Sequence, residues 1–121
     1  MCKTEQISHK GKRIYYLDFS GLHSFEEIKT GIEGSKKYIG VQPPSSLLTL
    51  TNTDGMHFSN EIKDLFTDFA KGNKTYVKAS DVIGLSGLAS IVYNAIMKMT
   101  GRNVKSMKSF EEAKDWLVLQ S

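Results

Sequence analysis

One structural unit occurs twice in the middle of this chain, and the repetition constrains the fold more than any other feature. Each copy has a short apolar strand, a polar turn that carries Ser or Asp, and an amphipathic helix; the copies span residues 46–69 and 75–99. Alternation of strands and helices is typical of a parallel sheet with helices packed on it. The sequence therefore predicts an α/β fold whose strand-to-helix turns meet at one edge of the sheet.

The segments on either side of these units complete the predicted order of elements. Alternating residues on both sides of Lys10 indicate a β-hairpin. Ser24 and Ser109 each precede Phe-Glu-Glu, a capping box that starts a helix. A last short strand is predicted around Val104. We therefore expect one domain over residues 1–121, with a four- to five-stranded, largely parallel (mixed) sheet and four helices.

Composition limits the classes of partner and compartment. The chain has 16 Lys and Arg against 13 Asp and Glu, and this net charge of +3 is scattered rather than gathered in a stripe with aromatic residues, so we expect no nucleic-acid partner. Its single cysteine, Cys2, cannot close a disulfide within the chain, which is typical of a reducing compartment. The first residues include no long apolar run. We expect neither a signal peptide nor a membrane span, and a cytoplasmic location.

Five segments along the chain carry a resemblance to a known family. They are LDFSGL (17–22), SLLTLT (46–51), YVKA (76–79), GLSGL (84–88) and SFEEAKDWL (109–117). With them the whole chain resembles the STAS domain superfamily, in particular the small SpoIIAA-like proteins related to STAS and CRAL-TRIO lipid-binding domains. The resemblance implies a sheet of four or five strands with four helices. It also implies a non-enzymatic regulatory role in binding a protein partner or a small apolar ligand.

Two serines are candidate phosphorylation sites under this resemblance. STAS-type regulators carry an Asp-Ser-Ser-Gly-Leu-like turn in which a kinase partner phosphorylates a serine. At the matching junction this chain has His-Phe-Ser-Asn-Glu, where Ser59 fits the pattern and the Asp, second Ser and Gly are missing. Ser86 lies in a more similar local sequence, one unit later in the chain. The simpler role of a helix N-cap accounts for each serine without phosphorylation, and it is the favoured interpretation of both.

The acidic residues allow a metal site, but its pattern is incomplete. Asp18, Asp54 and Asp81 each lie at the end of a predicted strand, where carboxylates that converge bind Mg²⁺. Phe19 occupies the place where receiver-like sites have a second acid, and Asp is also common in turns. The three histidines have no triad or metal-pair spacing, and the turn at residues 84–87 lacks the lysine of a phosphate-binding loop. We expect no catalytic residue, metal or cofactor, and no enzymatic activity.

Residues 82–97 contain no charged side chain, which is unusual for a helix on the outside of a small domain. Six apolar residues are predicted to face inward: Leu88, Ile91, Val92, Ala95, Ile96 and Met99. Tyr93 and Met97 are then left on another side of the helix. Either the helix is buried between the sheet and a neighbouring helix, or its surplus apolar surface contacts a ligand, a partner or a membrane.

The ligand hypothesis defines a specific cleft. It predicts a mostly apolar site that takes up a fatty acid or similar molecule, bordered by Ile62, Phe66, Leu88, Val92 and Tyr93. The alternative is a phospho-switched regulator, similar to an anti-sigma-factor antagonist, that binds a protein partner. Peripheral membrane contact and a homodimer through the charge-poor helix are two further expectations.

Overall fold

The computed structural model describes residues 3–121, and the interpretation of Cys2 falls outside the described residues. Within this range five strands and four helices follow one another in the predicted order. They are β1 (Lys3–His9), β2 (Lys12–Asp18), α1 (Phe25–Ile39), β3 (Leu47–Asn52), α2 (Asn60–Asn73), β4 (Val77–Ile83), α3 (Leu88–Thr100), β5 (Lys105–Ser106) and α4 (Phe110–Gln120). None of the helices in this range is both long and apolar enough to cross a membrane.

The five strands form one mixed sheet in the order β1-β2-β3-β4-β5. β1 pairs antiparallel with β2, and the other three pairs are parallel, which confirms the predicted largely parallel sheet. Every crossover moves one strand in the same direction, and crossovers between parallel strands are right-handed. The crossover helices α1, α2 and α3 therefore share one face of the sheet, and α4 covers the opposite face.

Side chains of β2 show how the two faces are built. Tyr15 and Leu17 belong to the core under α1 and α2, whereas Ile14 belongs to the core under α4. This alternation follows from the two-residue period of a strand. The α4 core also contains Leu48, Leu50, Ile83, Ala113 and Leu117.

Serine hydroxyls start three of the four helices, as predicted. Ser24, Ser59 and Ser109 each accept a hydrogen bond from the backbone N–H three residues later, at 3.4, 3.2 and 3.2 Å. Such a bond satisfies a helix amide that has no partner within the helix. Ser86 is different, because the N-cap of α3 is Gly87 and no side chain caps this helix. The interpretation of Ser86 as a cap is therefore wrong.

β4 extends further than its apolar pattern indicates. The β-branched and apolar residues of 75–79 predict a strand that ends at residue 79, whereas the observed strand continues to Ile83. Two polar residues in its second half obscured the pattern. One of them, Ser80, accepts a 2.7 Å hydrogen bond from the Thr49 hydroxyl of the neighbouring strand. The other, Asp81, pairs in register with Leu50 inside the sheet. The prediction that Asp81 ends a strand is therefore wrong.

α3 is rotated relative to the predicted orientation. Leu88, Ile91 and Met99 were expected to face inward, but they are 60%, 67% and 53% exposed. The buried residues of α3 are Ala89, Val92 and Ile96. Ser90, Asn94 and Lys98 form a polar stripe on one side of α3, and apolar residues occupy nearly all the other positions facing away from it. The apolar residues alone therefore do not identify which of them face inward. The surplus apolar surface thus consists of Leu88, Ile91 and Met99, while Tyr93 and Met97 turn towards the protein.

Candidate functional site

A cavity of about 100 Å³ lies between the sheet, α2 and α3. β3 and β4 form its floor, and the facing sides of the two helices form its walls. It extends from the strand-to-helix turns, at Phe58 and Leu85, to the opposite end, at Asn73 and Arg102. Most of the lining side chains are apolar or aromatic, including Phe66, Phe69, Val82, Val92, Tyr93, Ile96 and Met97. An apolar cavity with few polar groups is typical of a site for a small molecule.

The five residues predicted to border a ligand cleft have three different environments. Phe66, Val92 and Tyr93 line the cavity. Ile62 is fully buried in the core beneath α1 and α2. Leu88 lies on the exposed side of α3. The structure therefore brings three of the five together, and the rotation of α3 accounts for the position of Leu88.

Three of the hydroxyl side chains on the cavity floor bond to one another or to the backbone. Besides the bond between Thr49 and Ser80, the Thr53 hydroxyl donates to the backbone carbonyl of Ile83 at 3.1 Å. The hydroxyls of Thr49, Ser80 and Thr53 thus form bonds within the protein, so the polar floor is partly satisfied and the apolar surface of the cavity comes mainly from α2 and α3. The sequence contained no sign of this, because β3 and β4 are about 30 residues apart in the chain.

Arg102 is the one positively charged residue that lines the cavity within the described range. It follows Gly101, the left-handed residue that ends α3, and lies where α2 also ends. Nη1 of Arg102 donates to the Ala70 carbonyl at 2.7 Å and to Oδ1 of Asn73 at 2.5 Å. Burial lowers the pKa of the guanidinium, which still remains charged at neutral pH.

No motif in the sequence marks Arg102 as a site residue. The sequence feature that could have indicated its role is its position directly after Gly101, the glycine that ends α3, because basic side chains at such positions reach the last carbonyls of a helix. The helix that it reaches is nevertheless α2, and Ala70 is 32 residues away in the chain. On the same side of the cavity, the Tyr93 hydroxyl donates to the Val104 carbonyl. The hydroxyl of Tyr93 therefore bonds to the loop before β5, and its ring lines the cavity.

The two candidate phosphorylation sites lie on neighbouring turns. Ser59 is half-buried, and its hydroxyl accepts the N–H of Ile62. Ser86 is exposed in the turn before α3, and its backbone carbonyl accepts the N–H of Ala89 at 3.0 Å. A phosphate group on Ser86 would meet a helix start that no side chain caps.

The three aspartates considered as a metal site do not meet. Asp18 ends β2 and Asp54 follows β3, whereas Asp81 is fully buried within β4. Its neighbour Val82 lines the cavity, so Asp81 lies on the opposite face of the sheet, towards α4. Neither carboxyl oxygen of Asp81 has a hydrogen-bond partner, and burial raises its pKa to about 8. Residues 3–121 contain no group of three or more His, Cys, Asp or Glu side chains that could hold a metal ion.

Comparisons with known proteins bear on the fold. No protein-family model matches the sequence, and no curated protein matches it. Among solved structures, the chain is similar to an uncharacterized DUF3478-family protein with a SpoIIAA-like fold from Shewanella loihica. The TM-score is 0.73 at 13% sequence identity, and the match covers 96% of this chain and 93% of that one.

Proposed function

We propose, from the SpoIIAA-like fold of this chain and the cavity under α2 and α3, that the protein is a binding module for a small apolar molecule. The observation that carries the proposal is the cavity of about 100 Å³ and its mainly apolar lining. Empty apolar space inside a protein forfeits dispersion contacts, and a ligand that fills it restores them. Binding of this kind suits a carrier or a sensor.

The cavity volume supports a compact ligand over a long acyl chain. An engineered apolar cavity of roughly 150 Å³ holds benzene, so 100 Å³ corresponds to a ligand of a few carbon atoms, or to a ring after small movements of the walls. Met97 lines the cavity, and its flexible side chain allows such adjustment. The fatty acid first expected from the sequence is therefore the less favoured ligand.

We further propose that binding occurs without catalysis. The only titratable side chains that line the cavity, among the residues described, are Tyr93 and Arg102. Burial raises the pKa of Tyr93, which keeps its hydroxyl neutral at neutral pH. Burial lowers the pKa of Arg102, but the guanidinium stays charged at neutral pH because its ordinary pKa is so high. Neither is suited to transfer protons at neutral pH. This supports a site that holds a molecule rather than one that transforms it.

A pair of substitutions on α3 tests the proposal. Val92→Phe adds volume inside the cavity, whereas Ile91→Phe adds the same ring type on the exposed side. We expect toluene to shift the methyl NMR signals of Ile96 and Met97 in the wild type and in Ile91→Phe, but not in Val92→Phe. Native mass spectrometry of freshly purified protein should also show a mass excess that denaturation removes. No methyl shift with millimolar toluene, together with a clean apo mass, would overturn the proposal.

A phospho-switched regulator is the second candidate function. One observation favours it, namely that exposed Ser86 precedes an uncapped helix start. In this form the proposal moves the site from Ser59, whose hydroxyl already accepts a helix amide, to Ser86. Peptide mass spectrometry of protein isolated from its own cells should detect phosphate on Ser86 and not on Ser59. Finding both serines unphosphorylated under all growth conditions would contradict it.

A further inference from the structure

We infer that Arg102 binds the anionic group of the ligand, so that the cavity takes a small monocarboxylic acid with a compact apolar body. This inference rests on the proposed function and specifies its ligand. The carboxylate would bond to the guanidinium at the end of the cavity, and the apolar body would lie against Phe66, Val92 and Ile96.

The hydrogen bonds of Arg102 leave part of its guanidinium available. Both bonds come from Nη1, and they hold the side chain at the end of the cavity. A guanidinium has five N–H donors in a planar fork that matches a carboxylate. The donors on Nη2 and Nε form no bond to any of residues 3–121, and they suit the two oxygens of a carboxylate.

The charge around Arg102 favours an anion. Its acceptors are a carbonyl and an amide oxygen, and no carboxylate within the described range forms an ion pair with it. A second cation lies close by, because a Cβ atom at Gly101 would be 3.9 Å from Nζ of Lys74. Buried charges are normally paired, so a half-buried arginine without a counter-ion is suited to a ligand that brings one.

A purely structural role for Arg102 accounts for only part of these observations. Its bonds to Ala70 and Asn73 cap the C-terminal end of α2, which is a stabilising position for a cation. That role explains the two hydrogen bonds of Nη1, but it does not explain why the side chain lines an apolar cavity. The test must therefore separate binding of a carboxylate from general stability.

Benzoate and benzamide form a suitable probe pair, because they have nearly the same shape and differ in charge. We expect the wild type to bind benzoate about tenfold more tightly than benzamide, or more, since hydrogen bonds between two charged groups are the stronger ones. Arg102→Gln should abolish this preference and leave benzamide affinity within about twofold of the wild type. Lys108→Gln, which removes one exposed positive charge elsewhere, should keep the preference.

The outcomes distinguish this inference from the function on which it rests. If toluene and benzamide bind but benzoate binds no better, the role of Arg102 is wrong and the apolar site stands. If Arg102→Gln weakens both probes equally, the arginine is only structural and the inference also fails. If none of the three probes binds, the proposed function fails first. The comparison of benzoate with benzamide on the wild type needs no variant, so it still tests the preference for a carboxylate if Arg102→Gln does not fold.

Discussion

Asp81 carries a fully buried carboxyl group in the middle of β4, with no hydrogen-bond partner for either oxygen among the described residues. It lies on the face of the sheet that α4 covers, where the core contains Ala113 and Leu117, and its register neighbour on β5 is the exposed Lys105. An ionised carboxylate is unfavourable in such surroundings, so burial raises the pKa of Asp81 to about 8. In the unfolded chain the pKa of an aspartate is about 3.9. At any pH between these two pKa values, folding is therefore accompanied by the uptake of a proton on Asp81.

The sign of the resulting pH dependence follows from proton uptake. Between about pH 4 and pH 8 the folded state binds one proton more than the unfolded state, so the free energy of unfolding falls as pH rises, by up to about 1.4 kcal/mol per unit. Asp81→Asn keeps the shape and cannot ionise, and we expect it to remove this slope. Urea denaturation at pH 5, 6, 7 and 8 measures it. Asp54→Asn, at an exposed position, should keep the slope; an unchanged slope in Asp81→Asn would contradict the assignment.

At the scale of elements, the turns after β3 and β4 are held against each other at Gly84. Gly84 has φ +85°, and a Cβ atom built on it would lie 2.4 Å from the backbone nitrogen of Asp54. The same two turns are joined by the N–H of Thr53, which donates to the Ile83 carbonyl at 3.0 Å. This contact holds the turn before α3 against the turn before α2, at the Phe58 end of the cavity.

Two glycine substitutions separate the backbone conformation from this close contact. Gly21 has φ +71° but no atom within 4 Å of an added Cβ, so Gly21→Ala should cost roughly 1 to 2 kcal/mol for its left-handed conformation alone. Gly84→Ala should cost about 1 to 3 kcal/mol more, because a backbone segment must also move. Midpoints of guanidinium denaturation compare the two variants. If both variants lose the same amount of stability, the two turns are free to separate.

At the scale of the whole molecule, the sequential strand order places three helices on one face and leaves the other to α4 alone. The core beneath α4 therefore depends on a helix of 11 residues at the end of the chain. The outer surface of α3, formed by Leu88, Ile91 and Met99, is a separate feature of the three-helix face. A homodimer and a membrane contact at that surface remain predictions.

Two leucines of α4 test how much the molecule depends on this helix. Leu117 is fully buried, whereas Leu119 is 81% exposed. Leu117→Ala should lower the free energy of unfolding by about 2 to 5 kcal/mol, because it removes apolar contacts and leaves a cavity. Leu119→Ala should change it by less than about 0.5 kcal/mol. Urea denaturation followed by tryptophan fluorescence measures both, and a small effect of Leu117→Ala would mean that the sheet is stable without α4.

The sequence by itself determined the order of elements and most helix starts, because their causes are local. A cap such as Ser59 acts on an amide three residues away, and the two-residue period of β2 reports both faces of the sheet. Both features depend only on residues that are close together in the sequence.

Only the tertiary structure decided the inner face of α3, the burial of Asp81 and the place of Arg102. The polar stripe of α3 leaves more apolar positions than its inner face holds, and packing against α2 and the sheet decides which of them are buried. Asp81 is buried because α4, about 30 residues later, covers its face of the sheet. Arg102 reaches the cavity through bonds to α2, from which it is separated by 29 and 32 residues. In each case the deciding contact joins distant parts of the chain, and no local pattern records it.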